Sequence, residues 1–574
     1  MSPARPEIRV AAAALLLLAT SAPSFGAPEQ DGKKPSARSR PESPPDQHHV
    51  RVSPHTWVDH DAAPISKPKQ RKISLYSYMF RQALVEPISH GFDIPDKLLW
   101  VTTPFGVTRK RQAANVNAWD EVPNSTWFTN RNHLRHVPVD QIRTGPFQGV
   151  TPAKPWTVTG LKKGGYNVGF QIKDAEGRKW LVKLDPKGHP QSGSGAGTVV
   201  SRLVWAAGYN IALYQSVDFR REDLQYETQL ASARPVATGD PPVMGAELNQ
   251  LLSRGAASGD GRYFASASLF LPGTPVGPLD LHGRRHDDAN DLYKHKNRRE
   301  LRGLYVLYAW LNNWDVKDQQ TLDTYGKEDQ PSSHHLTHYL LDVDGSLGAA
   351  AEGAKPPPYG YEMRVDFPWM MKRLFTLGFV VEPWRRVPQE SGIPSVGRFT
   401  SKGFDPPSWR PLEEVPPFRK MTPRDGYWGA KLVASFSNAQ IQAALDAAHY
   451  EDPRAPAYLL PALIERRDQV VRYWFDRVAP LDFFEVEGGA LQFRDLALDL
   501  GLTDPRAYEV EIDASSRQGG SNHGRLTSTS WTIPDGAGSR LSVTLSIAGS
   551  RAAPVRVDLE RSGGAWTVAK VRHA

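Results

Sequence analysis

An acid, an ammonium and an amide stand at short fixed intervals in the run DVKDQQ, as Asp315, Lys317 and Gln320. Phosphoryl transfer asks for those types: an acid to orient or deprotonate the accepting hydroxyl, a cation for the transferring phosphate, and an amide oxygen for a metal ion. Twenty-seven residues on (342 − 315), Asp342 closes the apolar part of HYLLDVDG. A hard cation such as Mg²⁺ binds one or two carboxylates and completes its shell with substrate phosphates, so a single acid at a strand end suits it. Upstream, Gly160, Gly164, Gly165 and Gly169 surround a turn between the first two strands, and Lys183 lies on the third strand. Backbone N–H groups of such a turn can approach phosphates, and a lysine on the neighbouring strand can reach their oxygens. Each feature also has a plainer reading. Glycines serve turn geometry, a strand lysine is solvated, and a polar run after a helix is a turn.

The elements that must position these residues follow from periodicity. WTVTG, FQIKD and KWLVKLD alternate and are joined by KKGGYNVG and AEGR, which predicts three antiparallel strands in a meander. Val199, Val200, Leu203 and Val204 lie at helical spacing and predict a helix from about Gly197 to Ala207. RYFASASLFL reads as a further strand. Arg298 to Asn312 reads as an amphipathic helix with Leu301, Leu304, Leu307, Tyr308 and Leu311 inward, and DVKDQQ comes just after it. Helices are expected over Asn438 to Ala448, with Ser437 as N-cap, and over Tyr458 to Val478. Beyond Phe483 the alternation in RLSVTLSIAG and VRVDLE predicts a small all-β module.

Glycine turn, lysine strand, helix, acid–lysine–amide loop and acid-bearing strand occur here in the order of the protein-kinase-like fold. Over roughly Pro155 to Val478 the chain resembles the atypical members of that superfamily, among them the HipA-like, secretory-pathway and spore-coat kinases. It is also similar to a group of exported bacterial proteins. The resemblance implies an α+β, two-lobed body and transfer of phosphate from ATP with Mg²⁺ or Mn²⁺. In that scheme Gly164, Gly165 and Lys183 hold the nucleotide phosphates, Gln320 and Asp342 hold metal, and Asp315 and Lys317 are catalytic. DxKxxN is the kinase spacing, and Gln320 replaces Asn with a side chain one methylene longer.

Two other readings compete. Kinases pair the strand lysine with a glutamate on the next helix, and SGSGAGTVVSRLVW contains no acid, which is the mark of a catalytically inactive binding protein on a kinase scaffold. LLDVDGSLG also resembles the first motif of haloacid-dehalogenase-type phosphatases, with Asp342 as nucleophile and Asp344 as acid/base. His334 and His338 would share a face of an extended chain and could form a metal pair, although such histidines more often face solvent. Arg284 and Arg285 lie in a charged run before the long helix.

Composition bounds the rest. Arg5 and Arg9, the apolar run Val10 to Ala19, and the small residues up to Gly26 have the form of a secretory signal peptide cut after Gly26, so an exported, periplasmic or extracellular protein is expected. The run is too short for a membrane span of about 20 residues, and no transmembrane anchor is expected. The 574 residues contain no cysteine, which removes disulfides and thiolate chemistry. A net charge of +8 permits attraction to anionic lipid or acidic polysaccharide, while the signatures of a nucleic-acid partner are absent. The expected order is signal peptide 1–26, disordered linker 27–72, N-terminal extension 73–154, kinase-like body 155–482 and sandwich-like β module 483–574. The acceptor, whether protein, sugar or small molecule, leaves no trace in the sequence.

Overall fold

Alternating apolar residues build the first sheet. In the computed structural model, which describes residues 57–73, 112–162, 168–226, 243–326, 333–377, 379, 381–387, 391–513 and 523–573, the expected meander forms as β1 (Trp156–Leu161), β2 (Gly169–Lys173) and β3 (Lys179–Leu184). With β4 (Tyr214–Phe219), β5 (Leu224–Tyr226) and β6 (Tyr263–Leu269) they make a six-stranded sheet of order β4-β6-β3-β2-β1-β5. All pairs are antiparallel except β1 with β5. Trp180, Val182 and Leu184 bury one face of β3 beside Trp156, Val158 and Phe170. The two-residue period of a strand therefore turns Lys183 to the other face.

Helix α1 (Ser192–Ala207) begins five residues earlier than its periodicity predicts. The reason lies outside the helix. The Asp185 carboxylate accepts hydrogen bonds from the backbone of Gln191, Gly193 and Ser194 at 3.0, 2.9 and 2.8 Å, and from the Ser194 hydroxyl at 2.6 Å. These satisfy donors that a helix start leaves open.

A three-stranded antiparallel sheet follows, built from β7 (Thr274–Gly277), β8 (Thr321–Tyr325) and β9 (Leu336–Leu340). Helix α2 (Arg299–Leu311) precedes β8 and is buried on every side, not only on the face that its leucines define. Its polar residues are held by ion pairs: Arg299 with Asp120 and Asp425, Arg302 with Asp425, and Arg298 with Glu300. The short hairpin β10 (Ala349–Ala350) and β11 (Gly353–Ala354) leads on to α3 (Phe367–Phe375), α4 (Pro423–Ala434), α5 (Asn438–Asp446) and α6 (Arg454–Phe475). Ser437 caps α5 as expected, accepting from the Gln440 backbone.

The last eight strands are β12 (Leu481–Glu487), β13 (Ala490–Asp495), β14 (Tyr508–Ile512), β15 (His523–Leu526), β16 (Ser530–Thr532), β17 (Arg540–Ile547), β18 (Val555–Ser562) and β19 (Ala565–His573). They form a three-stranded and a five-stranded sheet, which share one apolar core. β12 starts at Leu481, two residues ahead of the Phe483 boundary. Buried contacts tie these strands to the rest: Lys431 to Asp482 at 2.7 Å and His573 to Asp120 at 3.0 Å. Residues 57–72, which composition assigns to the linker, are docked through backbone hydrogen bonds from Asp59 to Asn124, Ile65 to His334 and Arg71 to Val276. The expected signal peptide, Gly164 and Gly165 lie outside the described residues.

Candidate active site

Chain topology carries Lys183, on β3, and the DVD turn after β9 to the same place. The Lys183 ammonium donates to Asp342 Oδ1 and, at 3.0 Å, to Asp344 Oδ2. Asp342 has a left-handed backbone, φ 55°, which an aspartate tolerates better than most residues. Its amide donates to the Tyr214 hydroxyl at 2.7 Å, fixing the bend. Lys183 and Asp344 side chains are each 6% exposed, whereas that of Asp342 is 37% exposed. Asp342 is therefore the acid of this cluster that a ligand can reach.

Helix α1 packs closely against the turn at a glycine. A Cβ on Gly197 would lie 3.3 Å from the Asp344 Cβ and 3.4 Å from the Tyr214 ring. The glycine leaves the space into which Asp344 fits. The acid missing from α1 is thus replaced from another element, and Lys183 has two carboxylate partners.

The charges are strongly interdependent. Burial works against the Lys183 ammonium, but Asp342 and Asp344 hold its pKa well above the ordinary lysine value. Burial pushes Asp344 up to about 7, and the neighbouring Asp342 charge adds to the rise while Lys183 offsets only part of it. Burial also opposes ionisation of Asp342. There, however, the Lys183 charge and hydrogen bonds from Asp344 and Lys183 prevail and hold the carboxyl below the usual range. This is the behaviour of two acids sharing one proton beside a cation. Lys162, just past β1, belongs to the same field, its pKa lowered by burial and by the Lys183 charge.

Asp315 forms a second cluster. Its carboxylate accepts from Lys317 Nζ at 2.8 and 2.9 Å and from Gln320 Nε2 at 2.7 Å. The Gln320 amide oxygen is buried and has no hydrogen-bond partner among the described residues. Below it, the Asp318 carboxylate accepts from the Leu281 backbone at 3.2 Å and stands 3.7 Å from Arg71. The two clusters are joined where Leu341 N donates to Gln320 O at 2.8 Å, one residue before Asp342.

No family model matches this chain, and no curated protein matches it. Among solved structures it is similar to a crystal structure of the Golgi casein kinase with Mn/ADP bound, at 10% identity and a TM-score of 0.29, over 57% of this chain and 72% of that one. A second crystal structure of the Golgi casein kinase is similar at 10% identity and a TM-score of 0.27, over 57% and 71% of the two chains.

Of the residues singled out from sequence, the structure brings Lys183 to Asp342 and Asp315 to Lys317 and Gln320. Gly169 has a purely structural reason: a Cβ there would lie 2.4 Å from the Val182 carbonyl oxygen on β3. The histidines do not pair. His338 Nδ1 is 2.7 Å from Asp323 and its ring stacks on Trp127 at 3.6 Å, while His334 stacks on Tyr325. Among the described residues no group of three or more His, Asp or Glu could hold a metal ion by itself. β9 pairs antiparallel with β8, so the DVD turn does not open the doubly wound sheet that a haloacid-dehalogenase-type phosphatase requires. Asp185, whose pKa burial raises to about 6, lines the recess beside Lys183 and Asp344 together with Ser194. Sequence reasoning missed Asp185, Lys162 and Tyr214; only the two-residue step from Lys183 to Asp185 hinted at any of them.

Proposed function

We propose that this chain is an exported, nucleotide-dependent phosphotransferase whose site is formed by Lys183, Asp342, Gln320 and Asp315. The observation that carries the reading is the buried Lys183 ammonium held against the half-buried Asp342 carboxylate. A lysine so clamped is positioned as a fixed point charge rather than as a solvated surface group.

ATP and Mg²⁺ or Mn²⁺ fit the residues present. Asp342 offers an accessible carboxylate, and the buried Gln320 oxygen is an acceptor without a donor among the described residues, which a cation would satisfy. A bound cation would neutralise charge on the phosphates. Lys183 and Lys162 would orient the anion, and burial under Tyr214 would exclude water from the lysine. Asp315, held by Lys317 and Gln320, would orient the acceptor hydroxyl and receive its proton. The hydroxyl oxygen forms a bond to the γ-phosphorus as the bond to the leaving nucleoside diphosphate breaks. The acceptor is a hydroxyl-bearing protein, sugar or small molecule.

The test is titration of the purified chain with ATP in the presence of Mg²⁺ or Mn²⁺, followed by a nucleotide-consumption assay over a panel of acceptors. Binding that needs the metal and disappears in Asp342→Asn supports the proposal. Metal-dependent binding without turnover on any acceptor would leave an inactive binding protein, and absence of binding would overturn the assignment.

A further inference from the structure

Exposed apolar side chains are concentrated in one place. Eleven large hydrophobic residues are exposed among the described ones, and six of them lie between positions 370 and 381. Met370 is 56% exposed, Leu374 64%, Phe375 79%, Leu377 83% and Phe379 86%. The last four exceed every exposed hydrophobic residue elsewhere in the described chain. Soluble proteins seldom leave such a group uncovered without a use for it.

The base of this projection is firmly built. Asp366 caps α3 by accepting from Trp369 N at 2.9 Å, and Arg364 N donates to the Leu412 carbonyl. Glu382 ties both sides together, 3.3 Å from Arg373 on α3 and 2.7 Å from Arg385. Trp384 donates to Glu362 at 3.0 Å. Polar contacts thus hold the root while the apolar side chains point outward.

The charges around it have one sign in excess. Positions 367–387 contain Lys372, Arg373, Arg385 and Arg386 against the single acid Glu382. Lys372 and Arg386 are exposed and have no ion pair among the described residues. Lys372 lies 5.4 Å from the Trp369 ring, so an indole and a cation stand together at the edge of the apolar face. Aromatic residues and cations around an apolar face are the make-up of a segment lying in the headgroup layer. No described helix is long and apolar enough to cross a membrane, so the contact would be with a surface. Two copies meeting face to face would set Lys372 and Arg386 near their own equivalents, which disfavours self-association.

We propose that α3 and the residues up to Arg386 form a docking face for an anionic lipid surface. Phe375, Leu377 and Phe379 enter the acyl boundary, while Lys372 and Arg386 meet phosphate headgroups.

The full chain is to be sedimented with vesicles of phosphatidylglycerol and, separately, of phosphatidylcholine, at low and high salt. Binding should favour phosphatidylglycerol and weaken with salt. Lys372→Glu with Arg386→Glu should lower the partition coefficient by at least about fivefold for each cation lost. Phe375→Ser with Phe379→Ser should lower it by roughly tenfold or more. Because all four side chains face solvent, thermal unfolding should be unchanged in both variants, which separates lost docking from lost fold. No binding to phosphatidylglycerol, or equal binding by wild type and both variants, would overturn the proposal. So would a concentration-dependent dimer in sedimentation velocity that the phenylalanine variant dissolves, since the face would then belong to a second copy.

Discussion

Lys183 and Asp344 meet at 3.0 Å across 161 positions of sequence, the ammonium from a strand and the carboxylate from a turn, both buried. Beside it α1 packs closely against the turn at Gly197. Alanine at Gly197 adds a Cβ at 3.3 Å from Asp344, a distance that a small shift relieves, and gains helix propensity of up to about 1 kcal/mol. Gly197→Ala should therefore be close to neutral. Gly197→Val overfills the space and should cost about 1–3 kcal/mol, with nucleotide affinity falling in parallel. Thermal unfolding and nucleotide titration of the two variants check this.

The proton on Asp344 gives a pH signature. Its pKa is raised to about 7 in the folded chain, above the unfolded value of about 3.9. The folded state holds that proton more tightly, so this group stabilises most below the unfolded value, and its contribution declines as pH rises towards 7 and is level above. Asp344→Asn removes the slope. The melting temperature of the variant minus that of wild type should rise from about pH 4 to about pH 7 and then stay constant. A difference independent of pH would show that Asp344 titrates normally.

Asp315→Asn keeps the shape of the loop and removes the proton acceptor. Turnover should fall by about 10² to 10⁴ while the affinity for nucleotide with Mg²⁺ is retained. Equal loss of both would make Asp315 a structural anchor for Lys317 and Gln320 instead.

Lys431 is buried between Glu121 and Asp482 and links the N-terminal segment to β12. Removing one partner of a buried pair costs roughly 3–5 kcal/mol. Asp482→Ala should fall at the lower end of that range because Glu121 remains. Denaturant unfolding measures it, and a change within error would show that the terminal strands are energetically independent of the body.

Local patterns were legible where local forces decide. The meander β1 to β3, the α5 cap and the terminal strands follow from alternation and capping chemistry within a few residues. Lys183, Asp342 and Asp315 could be selected because their residue types and order carry chemistry. The partners of Lys183 could not be read, since they come from a distant turn that packs on α1 at a glycine that looks like a weak point in a helix. The full burial of α2 was equally hidden, because Asp120 and Asp425, far away in the chain, neutralise its arginines. Residues 57–72 have too few apolar side chains to predict order, and their backbone hydrogen bonds leave no mark in composition.

The absence of an acid from α1 reaches beyond the geometry of the lysine. In kinases the ion pair between strand lysine and helix glutamate makes the position of that helix a regulatory lever, since swinging it away breaks the pair. Here both carboxylates, Asp342 and Asp344, come from one turn, and that turn is fastened through Leu341 to the loop carrying Asp315. Rotation of α1 has no acid to withdraw. Under the proposed phosphotransfer reading the pairing of Lys183 would survive a movement of α1, and control over activity would fall to supply of substrate and to where the protein is held.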